Sequence, residues 1–351
     1  LRRRRAAGRL SGGPGVLRGA ALMLPLLFAL LLGPAPAPAA EPLRLSSKVF
    51  GKPVEIEVRD LSKDAARAAI QKAFAEIAEI ERLTDATRPD GGLTALNAAA
   101  GKGPQPVDPR LMTVLARAGD FCTWSEGAHG PLGRDLYALW GLRAPVAEPP
   151  KPERVDQAVD LAACGGLTLD KEKGTATLAP GAGLDLWGFA EGRAVDGAVD
   201  VLRREGAGNG VVQLGSIERG FGPGPDGEGW PAALPKLPGH EDSPGQIYLH
   251  DRSLAVASQA DHLRGSTDAS SPAYVNQRTG RPAQGVLAAA TVTDLAMDAQ
   301  GLAAALLLTG PREGQMRLGS LQPRPSVLWF LGTGEGPPLQ VGYRWGEVSR
   351  K

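Results

Sequence analysis

Asp185 and Glu191 bracket a run of mostly small residues, Asp185-Leu186-Trp187-Gly188-Phe189-Ala190-Glu191-Gly192-Arg193-Ala194-Val195-Asp196. A helical stretch and a glycine-containing return, Gln213-Leu214-Gly215-Ser216, follow. Two carboxylates beside an open glycine backbone can approach a phosphorylated ligand closely and hold a cation next to it. Plainer roles compete on spacing alone: Asp185 as the end of a strand, Glu191 as a solvated charge near a helix start. The four histidines form no cluster and the two cysteines, Cys122 and Cys164, have no metal-ligand spacing, which argues against zinc. Those cysteines either pair in an oxidising compartment or stay as buried thiols, and spacing leaves both open.

The elements that must position these groups read as a mixture. Alternation from Leu43 to Val58, broken at Gly51-Lys52-Pro53, gives two strands, and Ser62 or Asp64 caps a helix to Arg82 with Ala66, Ile70, Phe74, Ile77 and Ile80 on one face. Leu93 to Ala100 forms a short helix, Arg110 to Ser125 a second amphipathic one, and Val155 to Ala163 a third, while Leu136 to Trp140 closes a turn. Leu167 to Asp170 and Ala176 to Leu178 form a hairpin leading into Asp185. A helix from Ala194 to Arg204 and a strand from Gly210 to Leu214 come next. Glycine and proline are dense from 220 to 245, which predicts a long irregular loop. Gln246 to His250 and Ser253 to Ser258 read as a hairpin, Pro272 to Pro282 as a loop, and Val286 to Thr293 as a strand. Asp298 to Leu308 is a helix stopped by Gly310-Pro311, with Asp298 as its cap, and Val327 to Leu331 and Gln340 to Tyr343 are closing strands. Helices and antiparallel hairpins without regular strand-helix alternation predict an α+β fold.

Residues 1–40 read as an export signal. Arg2 to Arg5 precede an apolar run from Ala20 to Leu32, shorter than the ~20 residues of a membrane span, and Ala37-Pro38-Ala39 offers a small-x-small cleavage pattern. The expectation is an exported, periplasmic or extracytoplasmic protein, tethered to the membrane only if the signal is uncleaved. Residues 41–351 are then one domain. Formal net charge is +1, with no basic block after the signal, which argues against a nucleic-acid partner.

With the order of elements in place, the chain resembles the FAD:protein FMN transferase family, the ApbE-like flavin transferases, from Phe50 to about Gly334. Phe50-Gly51-Lys52-Pro53 is similar to that family's Met-Gly-Thr opening. Gly127-Ala128-His129-Gly130-Pro131 and Leu139-Trp140-Gly141 are similar to its Gly-Ala-aromatic-Asp-Pro and Leu-Trp-Gly. Asp185 to Asp196 resembles Asp-Leu-Gly-Gly-x-Ala-Lys/Glu-Gly-Tyr-Ala-x-Asp, and Arg278-Thr279-Gly280-Arg281-Pro282 the end of His-x-x-Asp-Pro-Arg-Thr-Gly. The resemblance implies antiparallel sheets flanked by helices in a T-fold-related arrangement. It also implies magnesium-dependent transfer of FMN from FAD to a Ser or Thr of a target flavoprotein, with Phe50, Ala128, Asp185, Glu191 and Arg278 around the FAD. Metal ligands in the family are a backbone carbonyl, matched by Gly188, and an Asp and a Thr on the last helix. Those last two positions hold Gln300 and Ala304 here.

A neutral amide and a methyl make a degenerate magnesium site. Asp298, as a substitute ligand, is the weaker reading beside its role as a cap, since it lies about 200° round the helix from Gln300 and points elsewhere. Other departures run the same way: Trp187 stands for a Gly, Thr87 for an aromatic, Gly130 for the Asp, Ala273 and Asn276 for the His and Asp before Arg278, and Gly91-Gly92 for Ser-Glu. Ser216 and Ile217 stand for a Gly and an Asp. The sequence therefore predicts a transferase-like protein with activity reduced or lost, the alternative being a non-catalytic flavin- or partner-binding pseudoenzyme of the same fold.

Overall fold

Hydrophobic alternation along the strands and helix stripes sorts the chain into a sheet with two covered faces. The computed structural model describes residues 41–234, 236–237, 244–261, 272–332 and 336–348. The expected signal, 1–40, lies outside them. In order the chain forms β1 (Leu43–Val49), β2 (Lys52–Val58), α1 (Lys63–Thr84), α2 (Gly92–Ala98), β3 (Gln105–Pro106), α3 (Pro109–Trp124), α4 (Arg134–Leu139), α5 (Pro152–Leu161), β4 (Leu167–Asp170), β5 (Thr175–Leu178) and α6 (Ala190–Arg204). It continues through β6 (Gly210–Leu214), β7 (Ile217–Phe221), β8 (Trp230–Ala233), β9 (Gln246–Leu249), β10 (Arg252–Ser258), β11 (Val275–Asn276), β12 (Arg281–Pro282), β13 (Val286–Thr293), α7 (Ala296–Leu318), β14 (Ser326–Leu331) and β15 (Leu339–Tyr343).

Eight strands make one sheet in the order β1-β2-β6-β7-β10-β13-β14-β15, and every neighbouring pair is antiparallel. The period of two is legible in β10 and β13. Leu254, Val256, Ala288, Ala290 and Val292 face a cluster with Trp230, Ala232, Ile247 and Leu249 from the β8–β9 pair, while Ala255, Ala257 and Ala289 face the helices. Small side chains on both partners bring the Ala-rich start of α7 close, and Thr291 Oγ1 donates to the Ala299 carbonyl at 2.6 Å. Helix α1 begins at Ser62, whose hydroxyl accepts from Ala65 N at 3.4 Å, and it buries Ala66, Ile70, Ile77 and Ile80 against α6 and the sheet. Fully burying one such isoleucine stabilises by about 1.5–3 kcal/mol.

Several expectations are corrected. The 220–245 stretch holds a strand, β8, because Trp230 and Ala232 alternate inward and pair with β9; residues 235 and 238–243 lie outside the described set. The strands β9 and β10 are not each other's hairpin. The wholly buried centre of β10 is taken by β7 and β13, leaving β9 for β8. Arg134–Leu139 is a helix rather than a turn, and the 272–282 loop carries the short β11–β12 pair. Helix α6 starts at Ala190, four residues earlier than expected, which puts Glu191 in its first turn. The expected stop at Gly310-Pro311 holds, since Gly310 is non-helical (φ 71°, ψ 177°) and Pro311 lacks the N–H to continue the ladder; what the sequence did not show is a second helical segment running on to Leu318.

Asp298 is not the cap of α7. The first turn of that helix is served from another element: Ala296 N and Met297 N donate to the two oxygens of Asp196 at 2.8 and 3.0 Å, and Arg219 Nη1 of β7 donates to Asp196 Oδ1 at 2.5 Å. Asp298 pairs instead with Arg117 Nε of α3 at 2.6 Å. Removing one partner of a buried charged pair leaves the other desolvated and unpaired, at a cost of about 3–5 kcal/mol. Asp196→Ala is therefore expected to lower the urea-unfolding free energy by roughly that amount, with Asp196→Asn losing less because it keeps an acceptor. A loss below about 1 kcal/mol for the alanine variant would show the contact to be dispensable.

Candidate functional site

The β1–β2 turn forms the near wall of a cleft. Phe50 sits at φ +50°, and its N–H donates to Glu81 Oε1 of α1 at 2.7 Å, which fixes the turn and presents Lys52. Thr84, Asp85 and Thr87 from the end of α1, Arg143 beyond α4, the Leu186–Glu191 segment and Gln300 of α7 complete the lining. Some 600 Å³ of non-protein space lies within this lining, open solvent at its mouth included. A small hollow with room for about one water lies beside it, lined by Lys52, Trp187, Glu191, Asp261, Tyr274 and Gln300 among others.

Each charge in the cleft wall is matched. Asp185 is 1% exposed, accepts from Trp187 N at 3.0 Å, and is bridged by Arg143 through Nε at 2.7 Å and through Nη2. Glu191 is 7% exposed, and Lys52 Nζ lies 2.8 Å from its Oε1 and 3.0 Å from its Oε2. Gln300 Oε1 accepts from Gly192 N at 2.8 Å, and its Nε2 donates to Glu191 Oε2 at 3.3 Å. Gly192 permits this approach: a Cβ there would lie 2.5 Å from the Ala296 carbonyl. Trp187 lines both cleft and hollow, tilted on Tyr274 with ring centroids 5.9 Å apart and with Lys52 Nζ 5.0 Å from its own ring. Below it, Tyr274 OH donates to Asp261 Oδ2 at 3.1 Å, and burial raises the Asp261 carboxyl above its ordinary range.

Of the residues singled out in the sequence, Phe50, Gly188, Glu191 and Gln300 line the cleft, and Asp185 holds Arg143 from behind. Ala128 and Arg278 do not line it. Ala128 is fully buried with its carbonyl accepting from Gln277 N at 3.0 Å, and Arg278 forks onto Glu313 at 3.0 and 2.9 Å. Ala304 is buried beside Gly188, where a side chain on 188 would begin 3.4 Å from the Ala304 methyl and 2.6 Å from His129 Nε2. His129 is fully buried, stacked on Phe189 at 4.6 Å, with neither ring nitrogen hydrogen-bonded. Burial holds its pKa down to about 3. Lys52, Arg143 and Asp261 escaped the sequence reading. Lys52 stands in the motif where the family has Thr, a visible signal, whereas no spacing links Arg143 to Asp185.

The cysteines pair: Cys122 of α3 is joined to Cys164. Gly130 follows from this, since a Cβ there would lie 2.7 Å from Cys122 Sγ; an aspartate at 130 has no room.

Magnesium does not fit these donors. It asks for oxygen ligands anchored by a carboxylate, yet the Gln300 oxygen is committed to Gly192 N, position 304 is a methyl, and both Glu191 oxygens face an ammonium. The Gly188 carbonyl is what remains of the set. Among the described residues no three of His, Cys, Asp and Glu group closely enough to hold a metal ion, and no helix is long and apolar enough to cross a membrane.

The ApbE family model matches residues 50–328, and the chain belongs to that family. It is 28% identical over 272 residues to the FAD:protein FMN transferase of Vibrio cholerae, covering 74% of this chain and 80% of that protein. A Treponema pallidum protein of the same name is 32% identical over 156 residues, 42% of each chain, and one from Rhodobacter capsulatus is 28% identical over 278 residues, 76% of this chain and 51% of its own length. The chain thus spans about half or less of the last two relatives. Among solved structures, flavin transferase ApbE from Vibrio cholerae superposes with TM-score 0.74 at 22% identity, over 86% of this chain and 97% of that one. The ApbE protein of Thermotoga maritima gives 0.77 at 20% identity, over 89% and 100%. These superpositions establish the mixed fold with its antiparallel sheets.

The buried neutral His129 makes an acid-limb prediction. Its folded-state value lies below its unfolded value, so its contribution to stability is present above about pH 6.5 and is lost as pH falls toward about 3. By pH 4 the loss amounts to about 3 kcal/mol. His129→Phe keeps the stack on Phe189 and removes the titration, so its melting temperature should fall less than that of the native chain between pH 7 and pH 4, measured by circular dichroism. Equal falls would refute the assignment.

Proposed function

We propose that this protein is an exported member of the ApbE family that binds a flavin nucleotide of the FAD class in the Phe50–Gln300 cleft. Its transfer of FMN to a Ser or Thr of a target flavoprotein is reduced or lost. One observation carries this reading: the Gln300 amide, at the family's aspartate position, is closed on Gly192 N and on Glu191, while Lys52 pairs with that same Glu191. Family membership and a cleft lined by Phe50 and Trp187 beside Lys52 and Arg143 support flavin binding. The Cys122–Cys164 disulfide supports export, since such bonds persist in oxidising compartments.

A second reading, an active transferase, is favoured by the similarity to proteins named FAD:protein FMN transferase. Incubation with FAD, magnesium and an acceptor flavoprotein, followed by intact mass, separates the two. The native chain is expected to add no FMN to the acceptor and release no AMP, while a known ApbE enzyme, run alongside as the positive control, does both. Flavin absorbance retained through purification is expected for the native chain. An FMN adduct formed by the native protein would establish the active reading instead.

A further inference from the structure

Lys52 occupies a place where electrostatics requires a positive charge. Glu191 and Asp85 line the cleft and Asp185 lies behind it, so these carboxylates alone would repel a phosphorylated ligand. A divalent cation would offset that repulsion, but the donors at Gln300 and Ala304 do not fit one. Among the described residues two side-chain cations reach the cleft. Arg143 is bound through Nε and Nη2 to Asp185, which leaves the Nη1 edge of its fork uncommitted to that carboxylate. Lys52, with its side chain 29% exposed, touches both Glu191 oxygens and lies over Trp187. An ammonium has three donors, so at least one stays available for a phosphate oxygen after the Glu191 contacts. Lysine serves as a phosphate-binding point charge elsewhere in the same way.

We infer that Lys52 supplies the charge a divalent cation would supply, so that the cleft takes a phosphorylated flavin without a metal ion, Lys52 and Arg143 meeting its phosphates. This rests on the flavin-nucleotide reading above and adds to it a binding mode that is independent of metal. The contacts with Glu191 and the Trp187 face hold the ammonium at the junction of cleft and hollow.

Titration of the full chain with FAD and with riboflavin, followed by flavin fluorescence in EDTA and again in millimolar magnesium, tests it. For the native chain the FAD dissociation constant should agree between the two conditions within about twofold. Lys52→Met should weaken FAD in EDTA by roughly tenfold or more and leave riboflavin unchanged, while Lys52→Arg should keep FAD affinity near native. Loss of FAD binding by the native chain in EDTA overturns the inference and leaves flavin binding standing. Native-like FAD affinity of Lys52→Met in EDTA overturns it too, as does equal weakening of riboflavin. Should Lys52→Met fail to fold, the EDTA comparison and Lys52→Arg decide. If the native chain binds neither flavin under either condition, the ligand class itself falls.

Discussion

A single carboxylate joins the two helices that build the cleft. Asp196, on the buried side of α6, accepts from the first N–H groups of α7 and pairs with Arg219 of β7. A helix start has unsatisfied donors and a partial positive charge, and a buried carboxylate meets both needs at once. The consequence is geometric. With the beginnings of α6 and α7 pinned to each other and to the sheet, Glu191, Gly192 and Gln300 are in contact, although 109 residues separate the first from the last. Gly192, without a side chain, completes the approach.

The polar groups so assembled are turned inward on one another. Asp185 is answered by Arg143, Glu191 by Lys52, and the Gln300 amide by a backbone N–H and a carboxylate. The two carboxylates are buried while Lys52 and Arg143 keep one side on the cleft, so these pairs are less screened than surface pairs would be. Behind Gly188 lie the Ala304 methyl and the stack of His129 on Phe189. The carboxylates of the cleft are thus already answered by side-chain cations, a condition poorly suited to gathering them around a metal.

Much of the fold could be read from local pattern. Val286–Thr293 is the expected strand, and the α1 stripe falls on the core except for half-buried Phe74. What could not be read is pairing over distance. β9 and β10 look like a hairpin because they adjoin in sequence, but a strand as apolar on both faces as β10 belongs in the middle of a sheet. β8 hides among glycines because it is four residues long, and the start of α6 hides behind Gly188 and Gly192. In the site, motif order located Glu191, Gly188 and Gln300, whereas Arg143 and Asp261 are set by tertiary packing alone. Asp298 resembles a cap because it stands near a helix start, but the capping carboxylate, Asp196, comes from a different helix.

The disulfide between Cys122 and Cys164 changes the topology of one cleft wall. Residues 122–164 form a covalent ring carrying His129, helices α4 and α5, and Arg143. When that segment opens locally, its two ends cannot separate, and the number of conformations it can explore shrinks accordingly. The ring therefore acts as a tether on the denatured ensemble. The part of the protein that brings an arginine to Asp185 keeps its neighbourhood through excursions that would carry an untethered loop away.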